Sequence, residues 1–417
     1  MNPAAASAPH STAPRARPPW QARRVIDLLA GVRGATLDVT LPDGQRFSVG
    51  DGGSRIDWVV RDWRAFGRLI AQGDLGFARG WIDGDWTTGD LPALLRLVAR
   101  NRVALEGGLP GSVIARAGLR LLHALRRNSR IGSRRNIRAH YDLGNDFYRL
   151  WLDPGMTYSA GWYRDGIDTL DAAQQAKLGR MLDEATGGNP DCRLLEIGCG
   201  WGSFAEVAAR AGHRVHGVTL SPAQLAWGRE RLARAGLGDR AQLELRDYRD
   251  LDGRYDGVVS IEMFEAVGER WWPTWFATLA RSLAPGGRAA IQTITIAEPL
   301  FDNYRRRPDF IQTHIFPGGM LPTRERFIAE ATRAGLIVTT ELRLGRDYAR
   351  TLAAWRDRFL AARTSILAFA HDDRFLRCWD YYFCYCSAGF DDASTDVIQF
   401  SLAHMSDKSN AMPSECR

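Results

Sequence analysis

The chain reads as an α/β protein: a doubly wound, mainly parallel sheet preceded by a small α+β unit. Three observations predict this. Strand-like apolar runs alternate with helical stretches through residues 136–417, a pattern that right-handed crossovers turn into a parallel sheet. One run, 194–197, breaks into the turn Gly198-Cys199-Gly200-Trp201-Gly202 and then a helix, as at the ligand crevice of such sheets. The length, 417 residues, exceeds what one core ordinarily organises, so a second unit is expected.

In chain order, residues 1–18 are rich in Ala, Pro and Ser and read as a disordered tail. Residues 19–105 form the small unit. Alternation over 35–49 around Pro42-Asp43-Gly44 predicts a hairpin, and helical periodicity follows near 63–70 and 91–98. Residues 106–135 predict a basic linker helix. The main domain is expected over 136–400, with a tail at 401–417. Its expected strands are Arg193–Ile197, 214–220, Ala241–Leu245, Tyr255–Ile261 and 288–295; its helices are 203–211, 222–235 and 272–283. Residues 296–350 interrupt the alternation and read as an insertion.

Composition narrows the class. The chain is 45% hydrophobic and 25% charged, as in water-soluble globular proteins. No run reaches the roughly 18 apolar residues that cross a bilayer, and no signal peptide is evident. Six cysteines (Cys192, Cys199, Cys378, Cys384, Cys386, Cys416) show no C-x-x-C pairing, so no metal site and a reduced, cytoplasmic compartment are expected. Net charge is +7, with Lys177 and Lys408 the only lysines. The charge concentrates in the linker. No acidic residue lies between Glu106 and Asp142, while Arg116, Arg120, Arg126, Arg127, Arg130, Arg134, Arg135 and Arg138 alternate with Val113, Ile114, Leu119, Leu121, Leu122 and Leu125. Such a segment can lie on an anionic membrane, each Arg contributing about 1 kcal/mol near the surface. A solvated inter-domain helix is the competing reading. Nucleic acid is the weakest partner, since no recognised motif accompanies the charge; the expectation is a protein peripheral to the inner face of the cell membrane.

The Gly198–Gly202 turn carries the chemistry. Its glycines let backbone approach a ligand closely, and the following helix offers unpaired N–H groups to a carboxylate. Glu196 adds negative charge for a cationic amino group. Together these fit the methionine end of S-adenosylmethionine. NAD is the alternative, but it normally wants G-x-G-x-x-G and an acidic residue closing the second strand; here that strand closes with Thr219-Leu220-Ser221-Pro222.

An ordered set of motifs extends the reading: Ala139-His140-Tyr141-Asp142-Leu143-Gly144-Asn145-Asp146-Phe147-Tyr148, Met156-Thr157-Tyr158-Ser159, the Gly-rich turn, Gly217-Val218-Thr219-Leu220-Ser221, Asp247-Tyr248-Arg249-Asp250, Met263-Phe264-Glu265, Ile315-Phe316-Pro317-Gly318-Gly319 and Tyr381-Tyr382. With these the chain resembles the cyclopropane-fatty-acyl-phospholipid synthase family, which includes the mycolic acid methyltransferases. The resemblance implies a class I S-adenosylmethionine-dependent methyltransferase fold. It also implies methyl transfer to the double bond of unsaturated phospholipid acyl chains, with 296–350 covering an acyl channel, and it allows a homodimer. It places Tyr158, Ser159, Glu196, Gly198, Gly200, Trp201 and Gly202 around the methionine and ribose, Thr219, Leu220 and Gln224 beside the ribose, and Asp247 and Tyr248 at the adenine. Attack on the sulfonium methyl leaves a carbocation, so the site needs a dry cavity and aromatic faces. Phe264, Trp271, Trp272, Trp275, Tyr348, Tyr381 and Tyr382 are candidates, each with ordinary core as the alternative.

The resemblance also implies a bound bicarbonate as base, in a shell of a Cys, a Glu, a His, an Ile and a Tyr. Glu265, Ile294 and Tyr348 match. Ala160 stands where the Cys is expected and Gln292 where the His is. Gln292 donates a hydrogen bond but carries no proton as His does, and Ala160 offers only its N–H. The expectation is weakened anion binding and less cyclopropane, with a methyl-branched or methylated unsaturated chain as the rival product. Cys386 matches a family cysteine once held to be catalytic, and reads here as pocket or core. Two other functions stay open: methylation of a soluble small molecule, which an acyl-length apolar channel would disfavour, and non-catalytic lipid binding, which failure to bind the cofactor would favour.

Overall fold

The computed structural model describes residues 17–106, 143–369 and 372–410. The expected tail at 1–18 lies almost wholly outside these residues, as does the basic segment 106–135.

In the N-terminal unit the predicted hairpin forms. β1 (Thr36–Thr40) pairs antiparallel with β2 (Arg46–Gly50) and parallel with β3 (Arg55–Val60), and β4 (Trp86–Thr87) pairs antiparallel with β3, in the order β2-β1-β3-β4. Alternation buries Leu37 and Val39 on β1 and Ile56, Trp58 and Val60 on β3. The helices Trp20–Leu29, Arg64–Gln72, Asp74–Asp83 and Leu91–Arg100 complete the unit. Phe77 stacks on Trp86 at 4.3 Å between centroids, and Trp86 Nε1 donates to the Phe77 carbonyl.

The second sheet has seven strands: β5 (Arg193–Ile197), β6 (Arg214–Thr219), β7 (Ala241–Leu245), β8 (Tyr255–Ile261), β9 (Leu283–Ile296), β10 (Leu336–Arg343) and β11 (Thr395–His404). Their order is β10-β11-β9-β8-β5-β6-β7. All neighbours are parallel except β11, which runs antiparallel to both β9 and β10. β5 is buried from Leu194 to Ile197, as expected of a strand covered on both faces. Strand order reverses at β5, so its carboxyl end opens the crevice where such sheets bind ligands. Ser221 caps the helix Pro222–Arg234 through Gln224 N, and Thr169 caps Leu170–Thr186 through Ala172 N.

Two boundaries differ from expectation. The interruption after β9 is shorter than 296–350, because Thr323 caps a helix, Arg324–Arg333, and β10 then rejoins the sheet. The tail expected from 401 starts later: β11 runs to His404, held in register between β9 and β10, and the helix Met405–Asn410 follows. No helix of the described residues is long and apolar enough to cross a membrane.

The two units share one buried cluster, which runs from Val25, Trp58 and Leu95 to Trp151, Trp355 and Trp379. The helix Asp373–Asp391 lies at the junction. Trp81 Nε1 donates to the Arg377 carbonyl at 3.0 Å, and Arg377 Nη1 returns a bond to the Trp81 carbonyl at 3.1 Å.

Candidate active site

A cavity of about 680 Å³ begins at the carboxyl end of β5. Gly198 and Cys199 both donate their N–H to the Val218 carbonyl, which folds the turn back across β6. Gly198, Gly200 and Gly202 all have positive φ. The wall here contains Tyr158, Ser159, Glu196, Gly198, Gly200, Trp201, Thr219, Leu220, Gln224 and Tyr248. Thr219 Oγ1 donates to Gln224 Oε1 at 3.1 Å, and Trp201 Nε1 donates to Asn145 Oδ1 at 2.8 Å. Asn145 thereby orients an indole that faces the cavity.

Two residues assigned to the cofactor stand back from the cavity. Gly202 packs against the Pro222–Arg234 helix, where a Cβ would meet Gly228 Cα at 3.3 Å. Asp247 is buried and takes both Nε and Nη2 of Arg249 at 2.8 and 2.6 Å. It therefore orients Arg249, which reaches the cavity wall beside Tyr248 and Arg246.

Charge at the methionine end is buried. Burial pushes Glu196 up to about 8, with Lys177 opposing. Burial likewise pushes Lys177 down to about 8, opposed by Glu262, Asp153 and Glu196. Lys177 is 0% exposed, and its Nζ donates to Ser159 Oγ at 2.6 Å. Glu196 Oε2 has no hydrogen-bond partner among the described residues. A buried carboxylate oxygen left unpaired is costly, and the ammonium of a methionine moiety would satisfy it. With the open space at Gly200, where a Cβ would meet nothing within 4 Å, the residues present fit S-adenosylmethionine.

Beyond the methionine end the wall becomes carboxylic and aromatic. Glu265 Oε1 accepts from Ile294 N at 2.5 Å and from Thr293 Oγ1 at 2.9 Å. Burial, then the neighbouring Glu262, push Glu265 up to about 8. The Ile294 amide assigned to an external anion is thus taken by Glu265. Tyr348 and Cys386 line the cavity. Burial drives the Cys386 thiol far up, so it stands there as a neutral thiol and not as a nucleophile. Gln292 does not reach the cavity; it is buried behind it, donating to Glu262 Oε1 and to the Ala160 carbonyl while accepting from Gln399 Nε2. Of the aromatic candidates, Tyr348, Tyr381 and Tyr382 face the cavity. Phe264, Trp272 and Trp275 pack with Phe276 and Phe327 in a separate core, and Trp271 lies under Arg249.

Sequence reasoning passed over Lys177 and Glu262. Both had a signal: Lys177 is one of two lysines among 55 basic residues, and Glu262 is a charge just past the buried run 257–260 of β8. Glu262 has φ +48°. A non-glycine residue in that region costs on the order of 1–3 kcal/mol and persists only where its surroundings hold it.

The family model described as mycolic acid cyclopropane synthetase matches residues 128–400. The chain belongs to the mycolic acid cyclopropane synthetase family. It is an α/β enzyme of the S-adenosylmethionine-dependent methyltransferase class. It is 38% identical over 354 residues to the tuberculostearic acid methyltransferase UfaA1 of Mycobacterium tuberculosis, covering 80% of each chain. It is 36% identical over 346 residues to the cyclopropane-fatty-acyl-phospholipid synthase of Escherichia coli K12, covering 82% of this chain and 86% of that one. Among solved structures it resembles the cyclopropane synthase MmaA2 of Mycobacterium tuberculosis, with TM-score 0.61 and 31% identity over 65% of this chain and 98% of that one. It also resembles the mycolic acid cyclopropane synthase CmaA1 complexed with SAH and CTAB, with TM-score 0.60 and 31% identity over 64% of this chain and 97% of that one.

Proposed function

We propose that this protein transfers a methyl group from S-adenosylmethionine to the double bond of an unsaturated acyl chain in a membrane phospholipid, giving a cyclopropane or a methyl-branched or methylated unsaturated chain. One observation carries the reading. The cavity that starts at the Gly-rich turn continues into the N-terminal unit, where Val25, Leu29, Leu37, Trp58, Leu95 and Val98 wall it. An apolar chamber continuous with a cofactor crevice suits a long hydrocarbon and has no use for a soluble polar acceptor. Exposed Arg306 and Arg307 belong to the same wall, which suits an anionic head group. The relatives' names, one a methyltransferase of tuberculostearic acid and one a cyclopropane synthase, support lipid acyl chains and leave both product types in play.

When bound, the cofactor supplies an electrophilic methyl group, which the alkene π pair takes, leaving a cation on the chain. The protein's part is to orient and to exclude water. Glu196 would hold the amino group of the cofactor, and Lys177 holds Ser159 in place. Tyr158 and Tyr382 are joined hydroxyl to hydroxyl at 3.0 Å, so their rings stay fixed in the cavity wall. Tyr348 adds a further face, and aromatic faces stabilise positive charge where water would trap it. A membrane-peripheral location follows from the substrate and from the basic segment 106–135.

The test is lipid mass spectrometry on vesicles of a monounsaturated diacyl phospholipid. Wild type is expected to add the mass of one methylene per reacted double bond, as ring closure or a methylated alkene requires; a saturated methyl branch would carry two hydrogens more and need a separate reductant. Leu95→Trp, which fills the chamber, is expected to lower the rate at least tenfold with cofactor affinity within twofold. Unmodified lipid alongside a rapidly methylated soluble acceptor would overturn the reading.

A further inference from the structure

The donors that the family resemblance assigns to a bicarbonate base are already occupied by carboxylates of this chain. Glu262 Oε1 accepts from Ala160 N at 2.8 Å and from Gln292 Nε2 at 2.8 Å. The Tyr348 side chain lies close to the same carboxylate. The Ile294 amide goes to Glu265. The positions expected to bear the Cys and the His thus converge on one side chain, which takes both of their donors. Ala160 and Gln292 do not weaken an anion site; they complete a carboxylate site.

We propose that Glu262 is the general base of the reaction, its carboxylate standing in the shell where a bicarbonate would sit and excluding it. The inference rests on the reading of the protein as an acyl-chain methyltransferase. Glu262 lines the cavity, as a base that touches the substrate must. Its φ of +48° keeps the carboxylate turned into the shell from the end of β8, where its own N–H is held by the Gln292 carbonyl at 2.8 Å. The charged and titratable groups around it include Lys177, Glu265, Tyr348 and Tyr382. Burial raises its affinity for a proton, which suits an acceptor rather than a permanent counter-ion. In the step itself, a C–H bond of the cationic chain breaks. Its electron pair closes the ring or forms a new double bond, and the proton passes to Glu262. No external oxidant or reductant is needed.

The experiment measures lipid product from monounsaturated phospholipid vesicles with and without bicarbonate, in buffer stripped of carbon dioxide. Wild type is expected to keep its full rate without bicarbonate. Glu262→Gln, close to isosteric, is expected to lose at least a hundredfold in rate while binding S-adenosylmethionine within threefold of wild type by calorimetry. Glu262→Gly suits the backbone and empties the shell; it is expected to be slow alone and to gain at least fivefold on adding bicarbonate. Wild-type activity that falls tenfold on stripping bicarbonate would overturn the proposal, even if neither variant folds. So would a Glu262→Gln enzyme of near-normal rate. A wild type that binds cofactor but methylates no unsaturated lipid would instead overturn the functional reading beneath it.

Discussion

The three glycines of the turn do three different things. A Cβ on Gly198 would lie 2.7 Å from Met263 Cγ, so this glycine serves close packing. Gly202 lets the Pro222–Arg234 helix approach. Gly200 alone faces open cavity at φ +50°. Gly200→Val would place a β-branched residue in a region it rarely adopts and push its side chain into the ligand's space. Cofactor affinity is expected to fall at least thirtyfold by calorimetry; unchanged affinity would remove this turn from the binding site. At this scale the place of Gly198, Gly200, Glu196 and Tyr158 on the cavity wall was legible because local motifs carry them, while Gly202 was misplaced. Glu262 was not, since its role depends on Ala160 and Gln292, separated from it by 102 and 30 residues. Gln292 and Asp247 were misplaced for a related reason. A motif marks a position along a strand, but which of two neighbouring side chains faces the crevice depends on the local turn.

At the scale of elements, the helices Arg64–Gln72 and Asp74–Asp83 meet across Gly73, and residues from both wall the chamber. A Cβ on Gly76 would lie 2.0 Å from the Arg68 carbonyl oxygen, a backbone atom that cannot turn aside. Gly76→Ala should therefore splay the pair. Overpacking of this kind costs about 1–3 kcal/mol. A lower Tm and reduced lipid turnover are expected, with cofactor affinity little changed; an unaltered Tm would mean that the helices separate freely. The strands β5, β6 and β8 were readable because central parallel strands are largely buried, and the edge strand β7 was readable from its alternation. β10 and β11 escaped notice. β10 is only partly buried along much of its length, so its pattern is weak, and β11 follows the long helix Asp373–Asp391 after a turn of only three residues.

For the whole molecule, the shared core decides more than the boundary between units. Because one buried cluster crosses the junction, the N-terminal unit is a wall of the substrate cavity and not a detachable appendage. The basic segment, which lies outside the described residues, is proposed to meet an anionic bilayer. Reversing Arg126, Arg127, Arg134 and Arg135 to Glu should weaken sedimentation with anionic vesicles at least tenfold and leave cofactor affinity unchanged. Wild-type binding should also fall with salt, as the Debye length shrinks to about 3 Å at 1 M. Binding indifferent to both changes would assign the segment to a solvated linker.

By itself the amino-acid sequence determined the parallel sheet, the crevice at β5, the cofactor and the family. Each rests on short-range pattern: burial on both faces of a strand, glycines where backbone must approach a ligand, residues at fixed spacing. Only the tertiary structure decided that the Ala160 and Gln292 departures point at a carboxylate of the chain, that Lys177 is buried among Glu196, Glu262 and Asp153, and that the cavity runs on into the N-terminal unit. Those facts are convergences of distant segments. They follow from how β8, β9 and the Asp373–Asp391 helix pack, and no local periodicity encodes which side chains meet there.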